Sequence, residues 1–253
     1  MPTLTAKDIQ VSPIASRSAH DFIRRHHYSG KSVNNSQLHL GVFLEERMVG
    51  VMQFGSSLDK RKLVGLISGT RWHEFIELNR LAMIDDTPRN TESRALSVAM
   101  RILRKQYPHI QWVVSFADAT QCGDGTIYRA AGFMLTGIKQ NKEILNWNGR
   151  LINQKTLNNP NYPKPGGMYY SKYLRITGQA VPLSGFQLRY IYFLDPTARQ
   201  RLTVPEVPFS KIAEMGAKMY KGKRQKDSSE PSAILAEEGG AAPTLTLHST
   251  NKN

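Results

Sequence analysis

Residues 112–133 place an acid and a phenol one short loop apart. An apolar run ends at Asp118, a glycine-containing turn follows, and a short helical pattern carries Tyr128. Because ligands in open α/β sheets bind beyond the carboxyl ends of the strands, this arrangement is typical of an active-site edge at which protons are transferred. A strand whose Asp caps the turn and whose Tyr packs in the core explains the same residues equally well.

The sequence His-His-Tyr-Ser-Gly at residues 26–30 is a second candidate, at the end of a predicted helix. Histidine transfers protons near neutral pH and also binds metals. His27 therefore suits a proton relay or, together with Asp118, part of a site for iron or another transition metal. No close His spacing supports the metal site. The alternative is a solvated helix end whose imidazoles interact with the C-terminal helix dipole.

Arg80 lies within residues 74–84, where apolar and polar side chains alternate as in a strand. An arginine that points into a sheet needs an anion to compensate its charge. That anion is either an internal carboxylate, from Asp118 or Glu77, or a bound phosphate or carboxylate group.

The loop before the next predicted helix offers a further anion site. Free backbone amides at a helix N-terminus, with Arg89, Ser93 and Arg94 nearby, suit a pyrophosphate group. The loop contains no glycine, so it is neither a P-loop nor a dinucleotide-binding turn. Capping of the helix by Asn90 or Thr91 is the simpler explanation.

Hydrophobic periodicity predicts the elements that position these side chains. In order along the chain we predict a helix at 17–27 capped by Ser18, a hairpin at 38–54, a strand at 74–84, a helix at 91–107, a strand at 110–117, a helix around Tyr128, a strand pair at 133–147, and short strands at 168–175 and 186–194. This order predicts an α/β fold with a mixed central sheet flanked by helices.

Positive charge is concentrated in one part of the chain. The formal net charge is +14, and residues 150–226 alone contain 14 Lys/Arg against 3 Asp/Glu. Cations interleaved with tyrosines suit nucleic acid, because cations neutralise phosphates and aromatic rings stack on bases. An ordinary sheet with solvated charges is the alternative. The cations from which we expect DNA contacts are Lys172, Arg175, Arg189, Arg199 and Arg201.

These patterns divide the chain into three parts. We expect a catalytic core at 1–150, a basic aromatic-rich extension at 151–226 that completes the sheet, and a disordered tail at 227–253, where no core pattern is present. Cys122 is the single cysteine, so no internal disulfide or thiolate metal cluster can form. No signal peptide or long apolar span is visible, so we expect a soluble cytoplasmic protein without a membrane partner.

Several of these motifs, in this order, resemble the bacteriophage Mom family of DNA adenine modification proteins. The matching motifs are residues 26–30, residues 77–81, residues 115–118 and residues 125–133. The resemblance implies a GNAT-like acetyltransferase fold and double-stranded DNA as the partner. It also implies conversion of the exocyclic amine of adenine to the N6-carbamoylmethyl form, which shields phage DNA from host restriction. It places functional positions on His27, Tyr28, Arg80, Ser93, Asp118 and Tyr128.

Modification of an adenine amine requires removal of a proton, which suggests roles for most of these residues. Asp118 would accept the amine proton, while Tyr128 or Tyr28 would position the base or act as the acid. Arg80 would hold an anionic group of the donor or compensate Asp118, and His27 would relay protons or bind iron.

Acetyl-coenzyme A or a related donor is implied by the fold. Residues 89–94, however, hold Arg-Asn-Thr-Glu-Ser-Arg where GNAT enzymes usually have a glycine-containing pyrophosphate turn. The alternatives are a GNAT acyltransferase that uses acetyl-coenzyme A on a protein, tRNA or small amine, and a non-catalytic DNA-binding protein.

Overall fold

The computed structural model describes residues 4–121 and 123–217, together with the backbone of two short strands at 219–220 and 223–224. The tail expected at 227–253 lies outside the described residues. The strands are β1 (Ile9–Pro13), β2 (Ser36–Leu44), β3 (Arg47–Gly55), β4 (Phe75–Met83), β5 (Trp112–Asp118), β6 (Met134–Asn141), β7 (Ile144–Trp147), β8 (Arg150–Asn153), β9 (Ala180–Pro182), β10 (Gly185–Phe193), β11 (Met219–Tyr220) and β12 (Lys223–Arg224). The helices are α1 (Ser16–His26), α2 (Lys60–Leu63), α3 (Thr91–Gln106), α4 (Thr126–Ala130), α5 (Gln154–Leu157), α6 (Tyr170–Ile176) and α7 (Ser210–Glu214).

The central sheet has seven strands in the order β1-β2-β3-β4-β5-β10-β6. Neighbouring strands are antiparallel except β4 and β5, which run parallel. The β4–β5 ladder extends only from the Phe75–Trp112 pair to the Leu78–Ser115 pair, although both strands continue beyond it. The two strands therefore part at their carboxyl ends and open a fork in the middle of the sheet. The predicted mixed α/β sheet is confirmed.

Helices α1 and α3 cover opposite faces of this sheet. Val51 belongs to the core cluster of α1, whereas Met52 belongs to the cluster that contains α3. Consecutive strand residues point to opposite faces, so the two helices lie on different sides. Helix α3 buries a stripe with three-four spacing, formed by Ala95, Leu96, Ala99, Met100 and Leu103.

A small subdomain, which we call the insert, lies between β6 and β10 in sequence and comprises residues 142–184. It contains the three-stranded sheet β8-β7-β9 together with α5 and α6. Its own core is formed by Leu145, Leu157, Leu174 and Ala180. The chain leaves the central sheet after β6, forms the insert, and returns to the sheet as β10, which lies between β5 and β6.

The structure corrects three predictions. The segment at 168–175 is not a strand but mostly helix α6, because burying Ser171 and Leu174 three residues apart requires a helical spacing. The expected strand pair at 133–147 is not a hairpin, since β6 and β7 belong to different sheets. Helix α1 begins at Ser16 after Ala15, which makes no side-chain cap, so Ser18 lies inside the helix.

Candidate active site

A cavity of about 700 Å³ lies at the fork between β4 and β5. Its walls come from the end of α1, the second half of β4, the loop before α3, and the end of β5 with the loop into α4. The lining residues that sequence analysis had singled out are His27, Tyr28, Arg80, Arg89 and Tyr128. Strands β4 and β5 part here and leave a space between them. Segments that are far apart in the chain meet around this space.

Hydrogen bonding with Ser29 determines the tautomer of His27. The Ser29 backbone N–H donates to Nδ1 at 3.2 Å, and Ser29 Oγ lies 2.8 Å from the same nitrogen. Burial, and secondarily the charge of Arg80, lower the pKa of His27 to about 3. Because a backbone amide can only donate, Nδ1 carries the lone pair and the proton of the neutral ring is on Nε2. His27 is therefore a neutral hydrogen-bond donor.

This tautomer does not fit a metal site. A metal-binding nitrogen must offer its lone pair, but the Nδ1 lone pair accepts from Ser29 and Nε2 carries the proton. Across residues 4–121 and 123–217, no three or more His, Cys, Asp or Glu side chains are grouped to hold a metal ion. The suggested iron site of His27 and Asp118 is therefore not supported by this donor set.

Tyr28 stands at the mouth of the cavity. Its side chain is 51% exposed, and its ring lies on the His27 ring with centroids 4.3 Å apart and planes tilted by 34°. A half-exposed ring fixed at a cavity entrance offers a stacking surface to an aromatic ligand.

Main-chain oxygens hold Arg80. Its Nε donates to the Lys31 carbonyl at 3.1 Å, and Nη1 donates to the Asn79 carbonyl at 2.7 Å. Within the described part of the chain, neither of the expected internal ion pairs, with Asp118 or Glu77, forms within 4 Å of this guanidinium. Carbonyl oxygens orient the group without neutralising it, so its charge remains available to an anion in the cavity.

Asp118 and Tyr128 are both engaged in the structure around the cavity. Asp118 ends β5, as predicted, and its carboxylate accepts from the Thr120 N–H at 3.0 Å and from Gln121 Nε2 at 2.8 Å. The carboxylate therefore caps the turn, and its neighbour Ala117 lines the cavity. Tyr128 is buried and lines the cavity, with its ring centroid 5.2 Å from that of Tyr190.

Of the three residues expected to bind an anion at the start of α3, only one lines the cavity. Asn90 has a left-handed backbone conformation, with φ of 70°, and makes no side-chain cap. The Thr91 N–H donates to the Pro88 carbonyl at 3.2 Å, so the amides left without a cap beside the cavity are those of the next residues of the first turn. Arg89 lines the cavity, whereas Ser93 and Arg94 are not among its lining residues. Ser93 Oγ donates to the Asn90 carbonyl at 3.1 Å. The uncapped amides and Arg89 fit a pyrophosphate group.

The five cations predicted to contact DNA differ in how strongly the protein holds them. Arg189 donates to Thr136 Oγ1 at 3.0 Å and to the Thr136 carbonyl at 2.8 Å. Arg199 forms an ion pair with Glu206 at 3.1 Å, and Arg201 binds Ser68 and Gln111. By contrast, α6 of the insert presents two exposed cations, Lys172 and Arg175.

The insert carries positive charge without acidic residues over most of its length. Residues 144–184 contain no Asp or Glu, and the cations of this stretch, all exposed, are Arg150, Lys155, Lys164, Lys172 and Arg175. Its tyrosines mostly pack inward; for example, Tyr170 stacks between Tyr162 and Tyr173. Lys31 Nζ donates to Thr156 Oγ1 at 2.9 Å, which joins the insert to the segment after Tyr28. The cationic insert is thus attached beside the cavity mouth.

Sequence analysis missed three contributors to the site. Ser29 sets the tautomer of His27, and Lys31 joins Arg80 to the insert. Asp124 lines the cavity, pairs with Arg129 at 3.8 Å, and accepts a hydrogen bond from Tyr190 through its carbonyl. The spacing His-x-Ser and the turn sequence Asp-Gly-Thr were the available signals. No helix in the described residues is long and apolar enough to cross a membrane.

Comparison with known proteins gave one family and several loose structural matches. The model of the Mom protein family matches residues 8–211. Methylcarbamoylase Mom of Escherichia phage Mu is 38% identical over 199 residues, which cover 78% of this chain and 80% of that protein.

Two solved acetyltransferases align with most of the chain. The ribosomal-protein-S18-alanine N-acetyltransferase of Escherichia coli covers 74% of this chain and 94% of its own, at 13% identity and a TM-score of 0.41. The spermidine/spermine N-acetyltransferase SpeG of Vibrio cholerae, solved with manganese ions, covers 77% and 98%, at 8% identity and a TM-score of 0.43. Agreement at this level is loose, and no residue role is taken from these enzymes.

Proposed function

Because the chain belongs to the Mom protein family, we propose that it is a transferase that converts adenine in double-stranded DNA to its N6-carbamoylmethyl form. Such a modification would protect phage DNA from restriction in the host cytoplasm. The observation that carries the proposal is the cavity at the strand fork, which joins His27, Tyr28, Arg80 and Tyr128 beside a cationic insert.

The reaction needs an exposed amine. The N6 lone pair of adenine is delocalised into the ring, and the amine is inaccessible within a duplex, so the base must leave the stack. The nitrogen then forms a bond to the methylene carbon of the donor. The bond from that carbon to the leaving group breaks with its electron pair, and one N6 proton passes to a base.

The cavity residues suit separate parts of this reaction. Tyr28 would stack on the extruded adenine at the mouth, and the free charge of Arg80 would bind an anionic group of the donor. His27 would donate from Nε2–H to an oxygen acceptor, such as the carboxamide of the group that is transferred. Asp118, which ends β5 beside the cavity-lining Ala117 and is not itself a lining residue, remains our predicted proton acceptor, because an ionised carboxylate accepts protons.

The uncapped start of α3 suits a coenzyme A-type donor. Acetyl-coenzyme A itself would transfer an acetyl group through its thioester carbonyl, so carbamoylmethyl transfer would need a related donor whose methylene carbon carries the leaving group. The uncapped amides of α3 and Arg89 would hold the pyrophosphate. The same feature favours a second candidate, a GNAT-like acyltransferase acting on a protein, tRNA or small amine. Acyl transfer from acetyl-coenzyme A in the absence of DNA would distinguish the second candidate.

We test the proposed function on DNA from cells that express the chain. After digestion to nucleosides, mass spectrometry should find deoxyadenosine carrying a carbamoylmethyl group. Arg80→Gln should reduce that product at least tenfold, because an amide cannot supply the charge that binds the donor. The matched control, Arg24→Gln, alters an exposed arginine of α1 and should leave the product unchanged. Unmodified DNA from cells with the wild-type chain would contradict the proposal.

A further inference from the structure

Leu58 is an apolar side chain held in solvent at the tip of a loop. It is 90% exposed and lies between β3 and α2. Both flanks of the loop are anchored, because Ser57 is buried and Leu63 packs in a core cluster. The protein therefore fixes the base of the loop and leaves the leucine projecting.

Three cations lie close to this tip in the chain. Lys60, Arg61 and Lys62 follow Leu58 after the single acidic residue Asp59, and of the three only Lys62 forms an ion pair, with Asp59 at 3.3 Å. Lys60 Nζ lies 5.1 Å from the ring centre of Trp72, which is itself half-exposed. An apolar tip beside positive charge suits a partner that offers both phosphates and a gap between stacked bases.

Hydrogen bonds place the Leu58 loop next to the cavity. Asn35, on the segment that follows Tyr28, donates through Nδ2 to the Ser56 carbonyl, and Ser36 Oγ donates to Asn79 Oδ1 at 3.1 Å. The segment that follows Tyr28 is thus attached to the Leu58 loop at one end, and at Lys31 it is attached to the insert.

The distance between Leu58 and Arg80 is short compared with the dimensions of duplex DNA. Gly55 pairs with Glu77 across the sheet. Leu58 and Arg80 lie three residues from this pair in opposite directions, because Arg80 pairs with Gln53. Each is about 10 Å from the pair at the rise of an extended chain, so about 20 Å separates them along the strands. The two side chains are therefore closer than one turn of duplex, about 34 Å.

We propose that Leu58 is a wedge that enters the base stack of duplex DNA next to the adenine held in the cavity. The cations that follow it hold the flanking phosphates. An extruded base leaves a gap in the stack, and an apolar side chain that fills the gap keeps the base from returning. This inference rests on the proposed function for the identity of the extruded base.

The wedge predicts unwinding of DNA by the full-length protein. A nicked plasmid closed by ligase in the presence of wild-type protein should show a changed linking number. Leu58→Ser should bind plasmid as well as the wild type in a filter-binding assay, because its cations are intact. At concentrations that give equal binding, it should leave the linking number unchanged. Leu58→Met, which keeps an apolar side chain, should unwind like the wild type.

The matched control is Leu4→Ser, another exposed leucine, which precedes β1. It should unwind DNA like the wild type. The proposal is overturned if wild-type protein leaves the linking number unchanged, or if Leu58→Ser unwinds as well as the wild type. The high exposure of Leu58 predicts an unchanged thermal midpoint, which verifies that the variant is folded.

Nucleoside analysis separates the wedge from the proposed reaction. In cells, Leu58→Ser should lower the modified adenine at least tenfold. Unwinding by the wild type without modified adenine would overturn the reaction and support the wedge. Equal modification by the wild type and Leu58→Ser would overturn the wedge and support the reaction.

Discussion

At the scale of single residues, the site depends on how each charge is held. Arg80 is oriented by two carbonyl oxygens and forms no ion pair within 4 Å in the described chain, while His27 is kept neutral by burial and by the charge of Arg80. A free cation next to a neutral donor forms an electrophilic wall. Such a wall would suit a donor that carries an anionic group or a carbonyl group.

The depressed pKa of His27 predicts a specific pH dependence of stability. Its pKa is about 3 in the folded protein and near 6.5 when unfolded. As pH falls below 6.5 the unfolded chain gains a proton that the folded site does not accept, so stability decreases until about pH 3. His27→Gln should remove this loss, and the variant should gain at most about 2 kcal/mol relative to wild type between pH 7.5 and pH 5.

Urea unfolding at the two pH values measures this difference. His26→Gln, at the neighbouring exposed position, provides the control and should leave the pH dependence of unfolding as in the wild type. An equal pH dependence in wild type and His27→Gln would show that the histidine is not kept neutral by the fold.

Residue types and spacing predicted much of this site and missed its internal bonding. Tyr28, Arg80 and Tyr128 could be singled out because their chemistry is unusual for their predicted elements. The partners of Arg80 could not be predicted, because periodicity does not show that main-chain carbonyls, and not a carboxylate, come within hydrogen-bonding distance of it. The tautomer of His27 was equally hidden, since it depends on a backbone N–H whose direction is determined only when the chain turns at Ser29.

At the scale of elements, the turn into α4 controls one wall of the cavity. Gly125 precedes α4 with φ of 79°, and a Cβ at this position would lie 2.5 Å from the ring of Tyr190. Only glycine fits, because a side chain would meet both backbone strain and a buried ring. The close approach of Gly125 to Tyr190 is what places Tyr128 against the cavity.

Gly125→Ala should therefore destabilise the protein by about 2–4 kcal/mol, from left-handed strain together with overpacking. It should also lower DNA modification, because α4 must shift. Thermal unfolding and nucleoside analysis measure the two effects. Gly65→Ala is the matched control, since an added Cβ there meets no atom within 4 Å. Similar stability of the two variants would contradict the proposed packing role.

The elements themselves were largely predictable, with exceptions that have physical causes. Helix α3 has a clear apolar stripe, and the β2–β3 hairpin surrounds a polar turn, so both were expected. The tyrosines of α6 favour a strand, so the sequence predicts one there, but packing in the insert overrides that preference. The early end of the β4–β5 ladder leaves no trace in hydrophobic periodicity, because apolar residues recur beyond it in both strands, as Leu81 in β4 and Phe116 in β5.

At the scale of the whole molecule, charge is unevenly distributed around the cavity. The insert presents cations without acids in residues 144–184, whereas Arg189, Arg199 and Arg201 are engaged by other groups of the protein. A duplex that reaches the cavity would therefore meet the insert first. Net charge alone could not show this, because cations that bind the protein and cations that face solvent contribute equally to it.

The insert predicts a measurable salt dependence. The double variant Lys172→Gln/Arg175→Gln should reduce the slope of log affinity against log salt by about 2, since each phosphate contact contributes about 0.9. The loss should be similar for all duplex sequences. Fluorescence anisotropy with a labelled duplex gives the slope. Arg199→Gln, which removes a cation already paired with Glu206, should leave the slope unchanged. Equal reductions in both variants would contradict a special role for the insert.

The fork between β4 and β5 has a consequence for mutational mapping of the cavity. Beyond Leu78 and Ser115 the facing edges of the two strands no longer pair with each other, so peptide N–H and C=O groups of residues 79–83 and 116–117 form part of the wall. Such groups require hydrogen-bonding partners, and a bound amide can supply them. Alanine scanning leaves every one of these groups in place. Part of the affinity for a donor should therefore survive the removal of all the side chains around it.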